Sequence, residues 1–349
     1  MAVGTAFLIP PDALYAGYID LRTLALLFSL MAVVGALANR GLLDALACVF
    51  IQSTRSCRGL GLKLILLCYG SAMLITNDVA LITFVPLTLV LMRDNGKAML
   101  VTVVLQTVAA NLGSMLTPFG NPQNLYLYTR YGMEAGEFLR AVVPAGLLSL
   151  PMLFLLAMFL PRTGLPGSCR PSGAAVRLNA SLLALVALFL LCVLAVLRFV
   201  PWYVAAAATV AVLLVMDRRA LLKVDYALLL TFCFFFIFVG NVARINAVRS
   251  LLYGLLEGNE MLVSALVSQF VSNVPAALML SEFTDNGRAL VTGTNVGGLG
   301  TLIASMASLI SFKLYVKTPG ARPGRFMAWF SAVNFTMLAL LLAFVLILS

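Results

Sequence analysis

Histidine is absent from the 349-residue sequence, and only 10% of the residues are charged. Without histidine the chain cannot build a Ser-His-Asp triad, an HExxH zinc site or an imidazole proton relay. A GxSxG nucleophile motif is also missing. These absences exclude the common hydrolase and zinc-enzyme mechanisms, so we expect neither an enzymatic activity nor a cofactor.

The chain also lacks any basic run with interleaved aromatic residues, although its net charge is +10. Nucleic acid is therefore not an expected partner. The six cysteines show no paired spacing and are expected to be free thiols. Residues 1–10 have no basic n-region and no small-residue cleavage site, which is unlike a signal peptide.

Hydrophobic residues make up 62% of the chain, and the mean hydropathy is +1.05. A water-soluble fold of this length cannot bury so much apolar surface, so membrane lipid is the expected solvent. Apolar stretches of about 18–25 residues recur, which is the length a helix needs to cross about 30 Å of hydrocarbon. We predict an all-α polytopic protein of the cell inner (plasma) membrane. Eight crossings are expected, near residues 22–39, 98–116, 140–160, 178–197, 199–216, 226–243, 289–312 and 326–346.

Two further apolar stretches carry polar residues at their centres. Residues 63–92 contain Thr76-Asn77-Asp78, and residues 260–284 contain Ser272-Asn273. If both are re-entrant hairpins, most of the 23 basic residues fall in one set of loops, whereas two crossings would nearly even the split. The positive-inside rule therefore favours hairpins. It predicts that the cytoplasmic loops are 40–63, 93–97, 162–177, 217–225 and 313–325.

The two halves of the chain resemble each other. Aspartate opens an apolar span at Asp20 and again at Asp225, and residues 111–117 (NLGSMLT) align with residues 295–301 (NVGGLGT). An odd number of predicted crossings separates the two repeats, so they are expected to be inverted. The predicted first repeat is 1–160, with a hairpin at 63–92 and a broken helix at 98–130. A cytoplasmic linker at 161–177 precedes the second repeat, 178–349, with a hairpin at 260–284 and a broken helix at 289–312.

Spans 178–197 and 199–216 have no full counterpart before residue 20. Residues 1–10 are interpreted as the stub of one such span, either because the natural chain starts upstream or because the first half has lost a peripheral helix.

Inverted repeats with Gly/Pro-interrupted spans are typical of secondary transporters whose site lies at the repeat interface. The competing interpretation is that small polar residues only let helices pack closely. Residues 117–124 (TPFGNPQN) favour function, because they cannot remain helical at depth. The candidate substrate and ion ligands are Thr76, Asn77, Asp78, Asn111, Gly113, Thr117, Gly120, Asn121 and Asn124 in the first half, and Ser272, Asn273, Thr292, Thr294, Asn295, Gly297, Gly298 and Thr301 in the second.

Asp78 is the single ionisable residue that the predicted spans place inside the hydrocarbon, where an uncompensated charge costs about 2.5–3.5 kcal/mol or more. No basic residue is expected at a similar depth, so a cation or a proton is its expected partner. Candidate Na⁺ ligands are Thr76, Asn77, Asp78 and Gly120 in one half and Ser272, Asn273 and Gly297 in the other.

Residues 75–81 (ITNDVAL), 84–87 (FVPL), 113–124 (GSMLTPFGNPQN) and 269–275 (QFVSNVP) resemble the ion transporter superfamily. Within it the chain is similar to citrate-transporter-like and arsenite-permease-like anion permeases, which are relatives of the divalent anion:sodium symporters. The resemblance implies a scaffold domain, a transport domain with two re-entrant hairpins, elevator-type alternating access and a homodimer. In the dicarboxylate branch both tips read Ser-Asn-Thr, whereas here the third positions are Asp78 and Val274.

The predicted function is secondary active transport of a small anion or oxyanion, coupled to Na⁺ or H⁺. The alternatives are efflux of arsenite or antimonite, Na⁺/H⁺ antiport that uses Asp78 without any anion, and, from another class, a passive ion channel.

Overall fold

The computed structural model describes residues 4, 5, 7, 9, 10, 12, 15–51, 54, 56–164 and 179–348. Within these residues the chain is all-α, and its one extended pairing is an isolated bridge between Ser56 and Gly164. Most of the predicted linker, including Cys169, lies outside the described residues. The other five cysteines are free, as expected. The protein is an all-α polytopic membrane protein.

Among the described residues before the linker, eight helices have defined bounds, and α1 is a single turn. They are α1 (Tyr15–Tyr18), α2 (Leu21–Asn39), α3 (Leu42–Ile51), α4 (Cys57–Ala72), α5 (Asn77–Leu91), α6 (Gly96–Ser114), α7 (Pro122–Arg130) and α8 (Ala135–Ala157).

Ten helices follow the linker within the described residues. They are α9 (Ala180–Val196), α10 (Trp202–Met216), α11 (Arg218–Leu222), α12 (Tyr226–Ala243), α13 (Asn246–Leu256), α14 (Glu260–Val271), α15 (Asn273–Leu280), α16 (Gly287–Val296), α17 (Met306–Val316) and α18 (Pro323–Leu348).

The aspartates that open the two aligned motifs are helix N-caps. The Asp20 carboxylate accepts from the Thr23 amide at 3.0 Å, and the Asp225 carboxylate accepts from the Leu228 amide at 2.9 Å. Each satisfies one of the amide donors that have no partner in the first turn of a helix. The sequence similarity at these two points therefore marks two equivalent helix starts, α2 and α12.

By length and composition, five helices among the described residues could cross a membrane, namely α2, α6, α8, α12 and α18. Two other predicted crossings correspond to the apolar helices α9 and α10, which have 17 and 15 residues. The predicted crossing 289–312 is not one helix, because α16 ends at Val296 and α17 begins at Met306.

Several loops predicted to be cytoplasmic meet at one end of the molecule, which we call the Thr163 end. The Cys57 amide donates to the Thr163 carbonyl at 2.8 Å, and the Asn95 side chain donates to the Thr163 hydroxyl at 3.3 Å. The predicted loop 217–225 contacts the end of α2, next to the predicted loop 40–63, where Lys223 donates to the Asn39 side chain at 3.1 Å. The structure thus brings these segments together, and the side of the membrane they face stays a prediction.

Ion pairs join loops at the other end of the broken helix α6–α7, which we call the Thr284 end. Arg130 pairs with Glu282 at 2.8 Å, and Arg288 pairs with Glu137 at 2.7 Å. All four residues lie at or near helix ends, where charged side chains can stay in water. These contacts tie α7 to the segment between α15 and α16, and α8 to α16, at this end of the molecule.

Helix α6 is the most enclosed of the five candidate spans. Every residue from Ala98 to Ser114 is buried, and α6 contacts α4, α5, α8, α17 and α18. In contrast, α8, α12 and α18 expose large apolar side chains such as Phe154, Phe234 and Leu346. The fold therefore places the end of α6, with Asn111, in the interior and leaves apolar faces for lipid.

Candidate functional site

Two pairs of helices are interrupted at the polar residues that the sequence singled out. In the first pair α4 ends at Ala72 and α5 begins at Asn77. In the second, α14 and α15 are separated by Ser272 alone, whose φ is +75°. A non-glycine residue in this region costs of order 1–3 kcal/mol, so the packing around Ser272 must hold it there.

Both interrupted pairs fold back on themselves as helical hairpins. In the first, the two arms are in contact near their open end, because the Met92 methyl group would lie 3.6 Å from a Cβ built on Gly61. In the second, the Thr284 hydroxyl donates to the Glu260 carboxylate at 3.5 Å. The open end of the first hairpin is at the Thr163 end, and that of the second is at the Thr284 end. Their tips therefore approach the middle of the molecule from opposite directions.

Two more helices are broken next to the hairpin tips. Helix α6 stops at Ser114 and the chain resumes helix at Pro122, with Asn121 as the N-cap. The second break runs from Gly297 to Ser305, and Gly300 within it has a φ of +103°. Glycine reaches that conformation without steric cost, whereas a Cβ there would also meet the side chain of Gln269.

The first hairpin tip is bound to the first break through two hydrogen bonds. The Asn77 backbone amide donates to the Gly120 carbonyl at 3.3 Å, and the Thr117 hydroxyl donates to the Met73 carbonyl at 2.6 Å. The buried polar backbone at the tip is satisfied by the backbone and side chains of the break.

The second tip and the second break make the equivalent contacts. The Asn273 backbone amide donates to the Ala304 carbonyl at 2.9 Å, and the Thr301 hydroxyl donates to the Gln269 backbone carbonyl at 2.9 Å. In the second hairpin, Asn273 and Gln269 lie 196 positions after Asn77 and Met73 of the first. In the second break, Ala304 and Thr301 lie 184 positions after Gly120 and Thr117 of the first. The two halves therefore repeat the same bonds in the same order.

Glycine lets each broken helix touch its hairpin at equivalent positions. A Cβ on Gly113 would lie 2.1 Å from the Tyr69 carbonyl oxygen, and a Cβ on Gly297 would lie 2.7 Å from the Ala265 Cα. Only glycine allows backbones to approach this closely, as in packed membrane helices. Both glycines were predicted as site residues, and in the structure they set helix contact.

Asn111, near the end of α6, joins the first hairpin to the second half of the chain. Its side-chain oxygen accepts from the Asn77 amide group at 3.0 Å and from the Ser305 hydroxyl at 2.9 Å. Its own amide group donates to the Ser308 hydroxyl at 3.5 Å. Asn111 is thus a hub where the tip, the broken helix and α17 meet.

Asn295, near the end of α16, is the counterpart of Asn111 and makes the reverse connection. Its amide group donates to the Asn124 side chain at 2.6 Å, and its oxygen accepts from the Asn121 side chain at 3.1 Å. Asn121 also donates to the Ser114 hydroxyl at 3.2 Å. Because these groups are buried and paired with one another, the two breaks are fixed together at the centre of the protein.

Three residues at the site were missed by the sequence analysis. Ser305 and Ser308 occupy the positions of Asn121 and Asn124 in the second half, so extending the alignment of 295–301 by seven residues finds both. Gln269 holds the second break by donating to the carbonyls of Gly297 and Leu299 at 2.8 and 3.0 Å. Its place in the hairpin motif was the available signal.

Two predicted residues are not brought into this network. The Thr292 hydroxyl donates to the Ala141 and Arg288 carbonyls at 3.0 Å, and the Thr294 hydroxyl donates to the Leu290 carbonyl at 2.7 Å. Both hydroxyls bond helix backbone, which is the packing role expected of such residues in membranes.

The remaining predicted residues lie at the tips. Thr76 precedes α5 without a side-chain capping bond, and Gly298 leaves space beside the Asn273 amide group. Asp78 is half-buried and belongs to none of the ion pairs among the described residues.

Within the described part of the chain, no three Cys, Asp or Glu side chains cluster as a metal site would require. Any cation at the tips would therefore be bound mainly by amide, hydroxyl and carbonyl oxygens, which suit Na⁺ in interrupted helices.

Comparison with known proteins identifies the family, because residues 1–286 match the citrate transporter family. The chain belongs to the citrate transporter family. This member is 31% identical over 314 residues to the uncharacterized transporter MJ0456 of Methanocaldococcus jannaschii, which covers 88% of this chain and 84% of the relative. It is 30% identical over 323 residues to the inner membrane protein YbiR of Escherichia coli, covering 90% and 85%. A shorter match, 31% over 169 residues, covers 48% of the chain and 34% of the silicon efflux transporter LSI3 of rice.

The family and the apolar helices together make this citrate transporter family member a multi-pass membrane transporter.

Proposed function

We propose that this protein is a secondary active transporter that moves a small anion or oxyanion, coupled to Na⁺ or H⁺, by an elevator mechanism. The observation that carries the proposal is the pair of hairpin tips bonded to two broken helices, whose asparagine hubs, Asn111 and Asn295, bond across the halves. Non-helical backbone at such depth is tolerated where it lines a site.

An anion can be bound by the helix N-termini that meet at the centre. Helices α5, α15 and α17 begin after Thr76, Ser272 and Ser305, and none of these side chains makes a capping bond to its helix. The Asn77 and Asn273 backbone amides donate to the breaks and the Asp78 backbone amide donates to the Asn77 side chain. The amides left for an anion therefore include those of Val79, Val274 and Met306, where the helix dipole adds partial positive charge.

A cation can be bound by the opposite helix ends. Helices α4, α6, α14 and α16 all terminate at the tips or breaks, where their last carbonyls have no intrahelical donor. The first tip adds the Asp78 carboxylate, which the second tip replaces with Val274. We assign the coupling cation to the first tip, because Asp78 is the full negative charge there.

The tip asparagines differ in a way that supports this assignment. The Asn77 amide group is used in the bond to Asn111. The Asn273 amide group has no hydrogen-bond partner among the described residues and faces the space left by Gly298. Asn273 therefore has a free donor for an anionic substrate, whereas Asn77 is committed to the framework beside the cation.

The elevator mechanism needs a moving unit and a fixed one. We assign the hairpins and broken helices to the moving unit, because their bonds join them into one body. Helices α2, α9 and α10 pack on one another and are assigned to the scaffold. An inverted arrangement of the repeats accounts for the opposite directions of the hairpins, and the resemblance adds a homodimer to the proposal.

Efflux of arsenite, antimonite or another small oxyacid is the second candidate. Asp78 at the first tip resembles the arsenite-permease side of the superfamily, and the rice relative that matches 48% of this chain is named a silicon efflux transporter. Reversing the ion gradient across vesicles, and measuring on which side the substrate is bound and taken up, gives the direction of transport.

The test is a thermal-stability screen of the purified protein against citrate, dicarboxylates, arsenite and silicate, each with and without Na⁺ and at two pH values. A ligand at 100 times its dissociation constant stabilises the folded state by about 2.7 kcal/mol. We expect one anion class to raise the melting temperature, more strongly with the coupling ion, and Asn273→Ala to remove the effect. Asn334→Ala is the control, because it removes a buried asparagine whose side-chain hydrogen bond among the described residues goes to the Phe330 carbonyl. The rise in melting temperature should persist in this variant.

Flux into vesicles then distinguishes the mechanisms. Uptake that stops when both the Na⁺ and H⁺ gradients are collapsed supports coupling, and uptake that ignores both gradients would show a channel. Exchange of Na⁺ for H⁺ without any anion requirement would show antiport instead.

A further inference from the structure

A basic cavity lies at the Thr163 end, away from the hairpin tips. It has a volume of about 480 Å³ and lies between the start of α6 and the loop that joins α17 to α18. Lys97, Arg322 and Arg325 line it, together with Tyr315 and Trp329. The transport mechanism uses none of these side chains.

The cavity carries three positive charges. Among the described residues no carboxylate lines it, and no ion pair includes Lys97, Arg322 or Arg325. The Asp94 carboxylate, close by in sequence, is paired with Arg93 at 3.7 Å. Like charges that share a small cavity repel one another, so an anion bound there would relieve the repulsion.

The shape of the cavity is fixed by packing rather than by the charged side chains. The Tyr315 ring is buried and stacks on Phe326 at 4.9 Å, and its hydroxyl accepts from the Arg322 backbone amide at 3.2 Å. Trp329 packs against Phe159 of the neighbouring chain segment at 6.3 Å. Arg322 in the loop and Arg325 in the first turn of α18 are therefore held in place by the packing of α18 against α17 and against Phe159.

The cavity lies at a membrane boundary. Helices α6 and α18 are both candidate spans, and both begin beside it. Leu100 and Ala328 continue the lining toward the apolar parts of these helices, and tryptophan is enriched at the level of lipid headgroups. One side of the cavity is thus cationic and the other apolar.

We propose that this cavity binds the phosphate headgroup of an anionic phospholipid, with the acyl chains along the apolar start of α18. Basic pockets between membrane helices bind lipid headgroups in this way. A free phosphate ion also offers negatively charged phosphate oxygens but uses only the cationic side. The site is separate from the transport site and stands whether or not the chain moves an anion.

The experiment uses the tryptophan in the cavity as a reporter. The chain has two tryptophans, so Trp202→Phe leaves Trp329 alone in the full-length protein. This protein is reconstituted in vesicles of phosphatidylcholine mixed with brominated phosphatidylglycerol, or of phosphatidylglycerol mixed with brominated phosphatidylcholine. Quenching of Trp329 in the two series gives the relative affinity of the cavity for the anionic lipid.

We expect a clear preference for phosphatidylglycerol that falls roughly tenfold or more in the Arg322→Gln/Arg325→Gln variant, since each cation near the surface contributes a several-fold gain. The Arg93→Gln/Arg219→Gln variant removes two exposed charges that do not line the cavity, and should keep the preference. Equal quenching by both lipids in the parent protein, or equal loss in both variants, would overturn the proposal.

Inorganic phosphate at millimolar concentration separates the two sources of the ligand. If it leaves the lipid preference unchanged, the phosphate is recognised as part of a lipid. If it abolishes the preference while an equal ionic strength of chloride does not, the site binds a free ion and the lipid assignment is wrong.

Discussion

Replacing Gly113 by alanine tests the contact that fixes the broken helix against the first hairpin. The new Cβ would lie 2.1 Å from the Tyr69 carbonyl oxygen, so α6 and α4 must separate by about 1 Å before the atoms reach van der Waals contact. Because Asn111 is two residues earlier on α6, its bond to Asn77, 3.0 Å long, is displaced as well. We expect loss of both stability and transport.

The magnitude follows from two opposing effects. Overpacking costs about 1–3 kcal/mol, and glycine to alanine within a helix returns about 0.5–1 kcal/mol. Gly70→Ala is the matched control, because it lies in α4 beside Tyr69 and its new Cβ would meet nothing within 4 Å. Both variants gain the helix term, so it cancels in the comparison, and Gly113→Ala should be less stable than Gly70→Ala by about 1–3 kcal/mol, the cost of overpacking.

Equilibrium unfolding in mixed micelles, followed by circular dichroism, measures this difference, and uptake into vesicles measures the second effect. Gly297→Ala should show a smaller loss, because its Cβ would lie 2.7 Å from the Ala265 Cα. If Gly113→Ala had the same free energy of unfolding as Gly70→Ala and transported normally, the close contact of α6 with α4 would be disproved.

The other predictions concern the tips and the topology. Asn77→Ala and Asn273→Ala should each abolish transport with normal expression, and wild-type flux in both would mean that the asparagines only pack. Asp78→Asn keeps the shape of the side chain and removes its charge, so the protein should fold but lose dependence on the ion gradient. Flux that still rises with the gradient in Asp78→Asn would make the residue structural. Cysteines introduced at Lys63 and Asp94 should be labelled from the same side of the membrane, and labelling from opposite sides would refute the first re-entrant hairpin.

Local chemistry made the helix breaks predictable. Prolines at 118 and 122 cannot donate to a helix ladder, and the glycines between residues 297 and 300 weaken one, so the sequence alone indicates where α6 and α16 must stop. The caps Asp20 and Asp225 are local in the same way. From the sequence, residues 289–312 were predicted both as one crossing and as a broken helix. In the structure this segment contains two helices, α16 and α17, with a break between them.

The cross-half bonds were beyond the reach of local reasoning. Ser305 and Ser308 look like ordinary small residues of a membrane helix, as Thr292 and Thr294 do, and the local sequence does not distinguish the pair that joins the network from the pair that bonds helix backbone. A hydroxyl becomes a site residue only when helix packing aims it at a partner rather than at its own backbone.

Hydropathy, Pro, Gly and capping residues act over a few positions, so they were enough to predict the lipid solvent, the helical class, the interrupted helices and the asparagines at the tips and breaks. Which polar groups meet depends on the packing of helices that are far apart in the chain. Asn111 bonds Ser305 across 194 residues and Asn295 bonds Asn124 across 171. Such contacts depend on the crossing and rotation of whole helices, which are set by packing summed over many distant side chains.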